Sequence, residues 1–230
     1  MPIALITGAS RGLGRAAAQA LARRGWSLIV DARRADDLAG AMRGLADVVT
    51  VPGDVTDPGH RADLAAAAGR AGALDVLVNN ASRLGPSPQP LLRDYPLDEL
   101  GRVYDTNVVA PLALIQLLTA PLTAAAGTIV NISSDAAVEA YPGWGGYGSA
   151  KAALDQLTAV LAAEEPSLHC YAFDPGDMRT DMHQQAFPGE DISDRPEPET
   201  VIPALLRLIA ERPPSGRYRA SDLAVPAVTP

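Results

Sequence analysis

Residues 7–14 read TGASRGLG, a strand-to-helix turn whose glycine spacing decides the fold. Gly8, Gly12 and Gly14 follow the apolar run IALI and precede an alanine-rich stretch. Glycines let the backbone approach a pyrophosphate, and the following helix offers free N–H groups and the positive end of its dipole. The spacing G-x-x-x-G-x-G, without the G-K-[ST] ending of a P-loop, therefore predicts a dinucleotide cradle. A glycine-rich turn with no ligand is the alternative.

Outward from this turn, short apolar runs alternate with Ala/Leu-rich stretches of helical period. Several runs are continuously apolar, which is typical of parallel strands covered by helices on both faces. We predict one α/β domain over residues 1–230, a Rossmann-like doubly wound parallel sheet of about seven strands flanked by helices on both faces. The strands that can be assigned are 3–7, 27–31, 48–52, 76–79, 128–132 and 168–174. The predicted helices are 12–24, 35–46, 57–71, 97–122, 147–164 and 199–211.

Two proline-rich segments are predicted to be loops near the ligand. Residues 83–96 follow the fourth predicted strand, and residues 183–200 are polar, proline-rich and acidic. Because ligands bind at the carboxyl ends of parallel strands, we expect residues 183–200 to form a substrate loop or lid. The tail 224–230 is predicted to be frayed.

Composition excludes several classes of protein. The net charge of −8 argues against a nucleic-acid-binding surface, and no uninterrupted apolar run approaches the ~20 residues of a membrane span. The N-terminus lacks the basic region of a signal peptide. A single cysteine, Cys170, excludes an internal disulfide, and His60, His169 and His183 lack metal-ligand spacing. We therefore expect a cytoplasmic protein without nucleic acid, membrane or metal.

The second predicted strand, in SLIVDARR, bears on the choice of cofactor. A residue near its end should reach the adenosine ribose, and Asp31 and Ala32 compete for that place because adjacent strand residues point to opposite faces. We favour Ala32, so that Arg33, together with Arg11, would bind a 2′-phosphate. This predicts NADP(H), with NAD(H) possible. Alternatively, Arg33 and Arg34 are merely a solvated cap.

Residues 147–151, YGSAK, contain the only lysine of the chain; the other 18 of its 19 Lys and Arg residues are arginine. With six tyrosines in 230 residues, one lysine falls four positions after a tyrosine by chance with a probability of only ~3%. On a helix, Tyr147 and Lys151 share a face. A free phenol has a pKa near ~10, and we expect a nearby ammonium to lower it towards the range of a general acid/base.

Two further polar groups are predicted to lie near this pair. Ser133 and Ser134 end a predicted strand with their side chains on opposite faces. Asn107 lies inside the predicted helix 97–122, and Pro111, lacking an N–H, leaves the Asn107 carbonyl without its helical partner. A kink with an ordered water is expected there, or a kinked packing helix with no catalytic role.

Taken together and in order, these motifs resemble the short-chain dehydrogenases/reductases of the single-domain, Tyr-x-x-x-Lys type. The resemblance runs from residue 3 to about residue 180. It rests on TGASRGLG, GDVTD (53–57), NNAS (79–82), Asn107, NISS (131–134), YGSAK and PGDMRT (175–180). Residue 82 is serine where the family usually has glycine.

The resemblance implies a catalytic set and a cofactor site. The catalytic set is Asn107, Ser134, Tyr147 and Lys151; the family's spacing selects Ser134 over Ser133. Asp54 and Val55 would contact the adenine. The implied cofactor contacts are Gly8, Ser10, Arg11, Gly12, Leu13, Gly14, Ala32, Arg33, Asp54, Val55, Asn80, Ala81, Tyr147, Lys151, Pro175, Gly176, Met178 and Thr180.

We therefore predict an oxidoreductase that reversibly reduces a small carbonyl compound, or oxidises an alcohol, with NADP(H). The alternatives are a dinucleotide-binding regulator or scaffold without turnover, and a related epimerase or dehydratase. The resemblance implies pairing through the helices at 97–122 and 149–164. Because the segment GRYRASDL (216–223) is short and lacks the family's glycine-rich ending, we expect a homodimer, with a tetramer as the alternative.

Overall fold

The computed structural model describes residues 1–223, so the predicted frayed tail, 224–230, lies outside the described residues. Within residues 1–223, seven parallel strands form one sheet in the order β3-β2-β1-β4-β5-β6-β7. The strands are β1 (Ile3–Ile6), β2 (Ser27–Ala32), β3 (Val48–Pro52), β4 (Val76–Asn79), β5 (Thr128–Ile132), β6 (His169–Asp174) and β7 (Gly216–Arg219). The predicted fold class is confirmed, and the predicted strand bounds are within one residue of those observed.

Helices connect consecutive strands and cover both faces of the sheet. The α-helices are α1 (Gly12–Ala22), α2 (Ala35–Ala41), α3 (Pro58–Ala71), α4 (Leu97–Tyr104), α5 (Ala110–Ala124), α6 (Gly145–Glu164), α7 (Asp181–Ala186) and α8 (Ile202–Glu211). The order of strands reverses between β1 and β4, where consecutive crossovers leave towards opposite edges. Such a switch point opens a crevice at the carboxyl ends of the strands.

The continuous apolar strands are explained by two separate cores, one on each face. Alternate strand residues point to opposite faces, so Ile6 packs with α1, α2 and α8, whereas Leu5 packs with α3 and α5. Cys170 on β6 is buried in the second core, where burial raises the pKa of its thiol to about 11. A buried thiol of this kind serves as a small apolar side chain.

The predicted helix 97–122 extends over Leu97–Ala124 and contains one π-helical turn, Asp105–Val109. Asn107 is in the middle of that turn, and Pro111 follows it. The expected irregularity is therefore present as a wider turn that keeps the helix continuous. By length and composition this helix could cross a membrane, but such a helix is weak evidence, because core helices of soluble proteins have the same composition.

Two short elements were missed from the sequence. β7 is only four residues long, GRYR, with a charged residue at every second position, and its pairing with β6 supplies the backbone bonds that its composition does not predict. Helix α7 begins two residues before the segment expected to be a loop and continues into it. Thr180 caps it, because its hydroxyl accepts the His183 N–H at 3.2 Å. The predicted loop 183–200 is therefore helical at its start.

Candidate active site

A cleft of about 850 Å³ opens at the carboxyl ends of the strands, at the switch point. It is lined by every residue predicted to contact a cofactor except Gly14. Ser134, Tyr147 and Lys151 line the same cleft, whereas Asn107 is buried behind it and only 1% exposed. The structure thus brings together residues that lie up to 172 positions apart in the chain, from Gly8 to Thr180.

The glycine-rich turn is held against the segment that follows β4. The Asn80 side-chain amide donates to the carbonyls of Thr7 (2.8 Å) and Gly8 (3.1 Å), and the Thr7 hydroxyl accepts the N–H groups of Asn80 and Ala81. A Cβ on Gly14 would lie 2.4 Å from both the Gly8 oxygen and Asn80 Nδ2. Gly14 therefore permits close packing behind the turn, which explains why it does not line the cleft.

The N-terminus of α1 fits a phosphate group. Its N-cap residue, Arg11, makes no side-chain cap, and the first turn carries no acidic residue. Gly12 has a φ of +54°, the left-handed region that glycine tolerates. Gly12 and Leu13 line the cleft, so the N-terminus of the helix, the positive end of its dipole, borders it, as anion binding requires.

A buried contact between Asp31 and His60 supports the turn from behind, and sequence reasoning missed its function. Asp31 accepts the Gly8 N–H at 2.6 Å and contacts His60 Nε2 at 3.0 Å. Burial raises the pKa of the Asp31 carboxyl, while His60 and the Gly8 N–H oppose that shift. Asp31 and Ala32 both line the cleft, and the Asp31 carboxylate is engaged with the turn. No sequence signal links Asp31 and His60, because they are 29 residues apart and on different elements.

Of the two arginines predicted to bind a 2′-phosphate, one has another partner. Arg11 Nη1 lies 2.8 Å from Asp181 Oδ2 at the start of α7, and both side chains are exposed. Arg33 lies near Asp54: burial raises the pKa of Asp54, but hydrogen bonds from Thr56 and the Arg33 charge lower it more. Both arginines line the cleft, Arg11 in contact with Asp181 and Arg33 near Asp54, and their joint contact with a 2′-phosphate stays a prediction.

Tyr147 and Lys151 lie one helical turn apart on α6 and are both buried. Lys151 Nζ is 5.5 Å from the centroid of the Tyr147 ring and donates to the Ile132 carbonyl at 2.7 Å. Burial lowers the pKa of Lys151 to about 8.

The expected effect of the lysine on the tyrosine is wrong for this structure. The pKa of Tyr147 is raised, not lowered, because burial of the phenol is the largest effect, and the neighbouring Ser82 hydroxyl opposes it only in part. A phenol out of water disfavours its charged form, and the ammonium of Lys151 is directed at a backbone oxygen instead. At neutral pH Tyr147 therefore carries its proton.

Ser134 stands at the end of β5 with its hydroxyl engaged. Its Oγ donates to Asp135 Oδ1 at 2.8 Å and accepts the Ala136 N–H at 3.2 Å. Asp135 Oδ2 accepts the Tyr141 hydroxyl at 3.0 Å. Asp135 lines the cleft, so it places a carboxylate beside the predicted catalytic serine, which sequence reasoning did not single out.

The Asn107 side chain holds the loop that follows β4. Its Oδ1 accepts the Arg83 N–H (2.8 Å) and the Ser82 hydroxyl (3.2 Å), and its Nδ2 donates to the Arg83 carbonyl (2.9 Å). Ser82, which replaces the family's usual glycine, thus joins Asn107 to the neighbourhood of Tyr147. Because these hydrogen bonds engage the Asn107 side chain, only the main-chain carbonyl of Asn107 is left for a proton relay.

The outer part of the cleft is apolar on one side. Trp144 packs edge-on against Tyr147, with 5.9 Å between ring centroids, and tilts against Phe187 at the same separation. Met182 and Leu84 belong to the same cluster. His183 accepts a long hydrogen bond from Arg195 and packs against Phe187 with the two rings tilted by 39°, so it is held by the segment that follows α7.

Comparison with known proteins gives one consistent family. The model of the short chain dehydrogenase family matches residues 2–191. Sepiapterin reductase from Mus musculus is 36% identical over 201 residues, covering 80% of this chain and 77% of that protein.

Solved structures agree over a longer span. A putative short chain dehydrogenase from Pseudomonas syringae superposes with a TM-score of 0.89 at 29% identity, covering 95% of this chain and 94% of that one. An alcohol dehydrogenase from the archaeon Thermococcus sibiricus, complexed with 5-hydroxy-NADP, superposes with a TM-score of 0.84 at 26% identity, covering 95% of each chain.

Proposed function

Since the chain belongs to the short-chain dehydrogenase/reductase family, we propose that it reversibly reduces a small carbonyl compound to an alcohol with NADP(H). One observation carries the proposal: Ser134, Tyr147 and Lys151 line the same cleft as the glycine-rich turn. The uncapped helix N-terminus at that turn fits the phosphates of a dinucleotide, and Tyr147, the acid/base candidate, lines the same cleft.

The bound nicotinamide would supply the hydride to the carbonyl carbon. Tyr147 donates its phenolic proton to the substrate oxygen as negative charge develops there. Burial supports this direction of transfer, because it keeps the phenol protonated at neutral pH. Ser134 orients the same oxygen through its hydroxyl, which must turn from Asp135 towards the substrate to donate.

Lys151 and Asn107 would return a proton to Tyr147. Lys151, with a pKa of about 8, exchanges protons readily near neutral pH. The main-chain carbonyl of Asn107 lies in the π-helical turn, where Pro111 offers it no N–H. We propose that this carbonyl holds a water next to Lys151, which also binds the hydroxyls of the nicotinamide ribose.

Preference for NADP(H) over NAD(H) rests on the end of β2. Ala32 presents no carboxylate to the adenosine ribose, and Asp31 is engaged with Gly8 and His60. Arg33 lines the cleft next to it. A guanidinium there suits a 2′-phosphate, whereas a carboxylate would favour a free 2′-hydroxyl.

The domain organisation, the role of the segment 183–200 and the oligomeric state are part of the same proposal. Residues 1–230 form one dinucleotide-binding domain, in which the segment 183–200 covers the substrate end of the cleft. We propose a homodimer through α4, α5 and α6. Val109 and Leu117 are about half exposed, and Val160 on α6 is 41% exposed, so these helices offer apolar side chains to a second copy of the chain.

The decisive experiment compares wild type with Tyr147→Phe on a panel of carbonyl compounds, following NADPH oxidation. The variant keeps the ring and its packing on Trp144 but has no proton to give. We expect turnover to fall by at least roughly a hundredfold while the dissociation constant for NADPH stays within about threefold. A variant that turns over like wild type on an established substrate contradicts the proposal.

A further inference from the structure

Arg217 lies on β7, outside the residues that the family model matches, and it reaches back under the active site. Its Nε donates to Asp155 Oδ2 at 3.0 Å. Its Nη2 donates to Asp174 Oδ2 at 2.8 Å and to the Ser134 carbonyl at 2.9 Å. The side chains of Asp155 and Asp174 are 15% and 4% exposed, so these bonds are largely shielded from water.

The three acceptors belong to three separate parts of the catalytic site. Ser134 ends β5. Asp174 ends β6, and its other oxygen accepts the Gly176 N–H at 3.0 Å, which orders the loop that lines the cleft beyond Pro175. Asp155 lies on α6 one turn after Lys151, and its charge raises the pKa of that lysine against burial. A guanidinium can hold these three acceptors because its N–H groups lie in one plane and donate hydrogen bonds in several fixed directions.

We propose that Arg217 is a positioning residue that fixes Ser134, the loop after Asp174 and the Lys151 helix relative to one another. The inference rests on the proposed function, since it assigns these elements their catalytic tasks. Arg217 touches no reacting atom and acts only through its three partners. Removal should therefore lower the rate of the chemical step more than the affinity for the dinucleotide, because displacements well under 1 Å at the site are costly.

Arg217 also sets the charge of Asp155. Burial raises the pKa of Asp155, and the groups facing it oppose that shift: the Ser133 hydroxyl from β5, Arg217 from β7 and Lys151 on its own helix. Without Arg217, Asp155 should take up a proton at a higher pH and stop acting on Lys151. The acid limb of kcat should then move upwards.

The test uses Arg217→Met, with Arg219→Met as the matched control. Arg219 lies on the same face of β7, but its Nε is 3.9 Å from Asp174 Oδ2, so it makes a much weaker contact. For Arg217→Met we expect kcat to fall at least roughly tenfold and the NADPH dissociation constant to change by less than about threefold. The acid limb of kcat should move to higher pH, and in Arg217→Met/Asp155→Asn, where residue 155 no longer titrates, this displaced limb should be absent.

Each outcome decides the question. Wild-type kcat with an unmoved acid limb in Arg217→Met, equal losses in the Arg219→Met control, or a displaced acid limb that persists in Arg217→Met/Asp155→Asn would overturn the inference. If Arg217→Met does not fold, Arg217→Lys replaces it, and an unchanged kcat there is equally contradictory, because one ammonium cannot reach three acceptors. Tyr147→Phe separates the two proposals: if it is inactive while Arg217→Met is normal, only this inference fails.

Discussion

Lys151 Nζ lies 5.5 Å from the centroid of the Tyr147 ring but gives its hydrogen bond to the Ile132 carbonyl, 2.7 Å away. The two buried groups therefore do not neutralise one another as a simple ion pair. Each is shifted by burial towards its neutral form, the tyrosine upwards in pKa and the lysine downwards. A site in this state can move a proton without ever holding two charges in the apolar interior.

The first prediction is that the pKa of Lys151 is about 8 in the free protein. Because it is the only lysine, protein labelled with isotopic lysine gives a single side-chain resonance, and NMR can follow its titration directly. A midpoint near the ordinary value of ~10.4 would contradict the burial argument. Denatured protein is the control and should titrate at that ordinary value.

This lowered pKa also predicts how stability depends on pH. Between pH 8 and the unfolded value of ~10.4, the unfolded state binds the proton and the folded state does not, so stability rises with pH. From pH 7 to 9.5 the free energy of unfolding of wild type should rise by roughly 2 kcal/mol relative to Lys151→Met, which lacks the group. Urea unfolding of both proteins at the two pH values measures this difference. If the difference in the free energy of unfolding between the two proteins were the same at both pH values, the lowered pKa of Lys151 would be contradicted.

A pair of glycine substitutions tests the packing of the dinucleotide turn. A Cβ at Gly14 would overlap the Gly8 oxygen and the Asn80 amide, both 2.4 Å away. Gly14→Ala should therefore displace the turn and weaken NADPH binding by at least roughly tenfold. Gly40→Ala is the control: Gly40 lies in α2 with no atom within 4 Å of the new Cβ. It should raise the free energy of unfolding by up to about 1 kcal/mol and leave binding unchanged. Calorimetric titration measures the NADPH affinity of both variants, and urea unfolding measures their free energies of unfolding. Equal losses of NADPH affinity in Gly14→Ala and Gly40→Ala would contradict the packing argument.

A substitution at Arg33 addresses cofactor preference. Arg33→Gln should weaken NADPH binding by roughly ten- to a hundredfold and leave NADH binding nearly unchanged, because only a 2′-phosphate would use the charge. Arg34→Gln is the matched control, since Arg34 is 79% exposed and already paired with Asp37 at 3.0 Å. Fluorescence titration with both cofactors measures the effect. Equal losses for NADPH and NADH in Arg33→Gln would contradict the assignment.

Most of the fold was predictable because its signals are local. Continuous apolar runs marked the parallel strands, and Pro111 after Asn107 marked the irregular turn. The i, i+4 spacing of Tyr147 and Lys151 was likewise enough to put both in the cleft. Helix α7 and strand β7 are too short for periodicity to reveal, and tertiary contacts decide them.

The rest of the site depends on contacts between residues far apart in the sequence. Asp31 meets His60, and Arg217 meets Asp155 and Ser134, across 29 to 83 positions. The direction of the Tyr147 pKa shift depends on how deeply the phenol is buried, which helix spacing cannot tell. Sequence patterns therefore identified the candidate functional side chains. Their protonation states, and the residues that hold them in place, could be determined only from the folded structure.

The carboxylate beside the serine leads to the last prediction. Asp135 accepts the proton of Ser134 and lies in the cleft, so it competes with the substrate oxygen for that proton and repels a substrate with an adjacent negative charge. Asp135→Asn should therefore raise kcat/KM for a 2-keto acid relative to that of its methyl ester by roughly tenfold. Tyr141→Phe is the control, because it removes the second contact of Asp135 and keeps the charge. Steady-state kinetics with both compounds measure the ratio. If the ratio is the same in wild type and Asp135→Asn, Asp135 does not select the charge of the substrate.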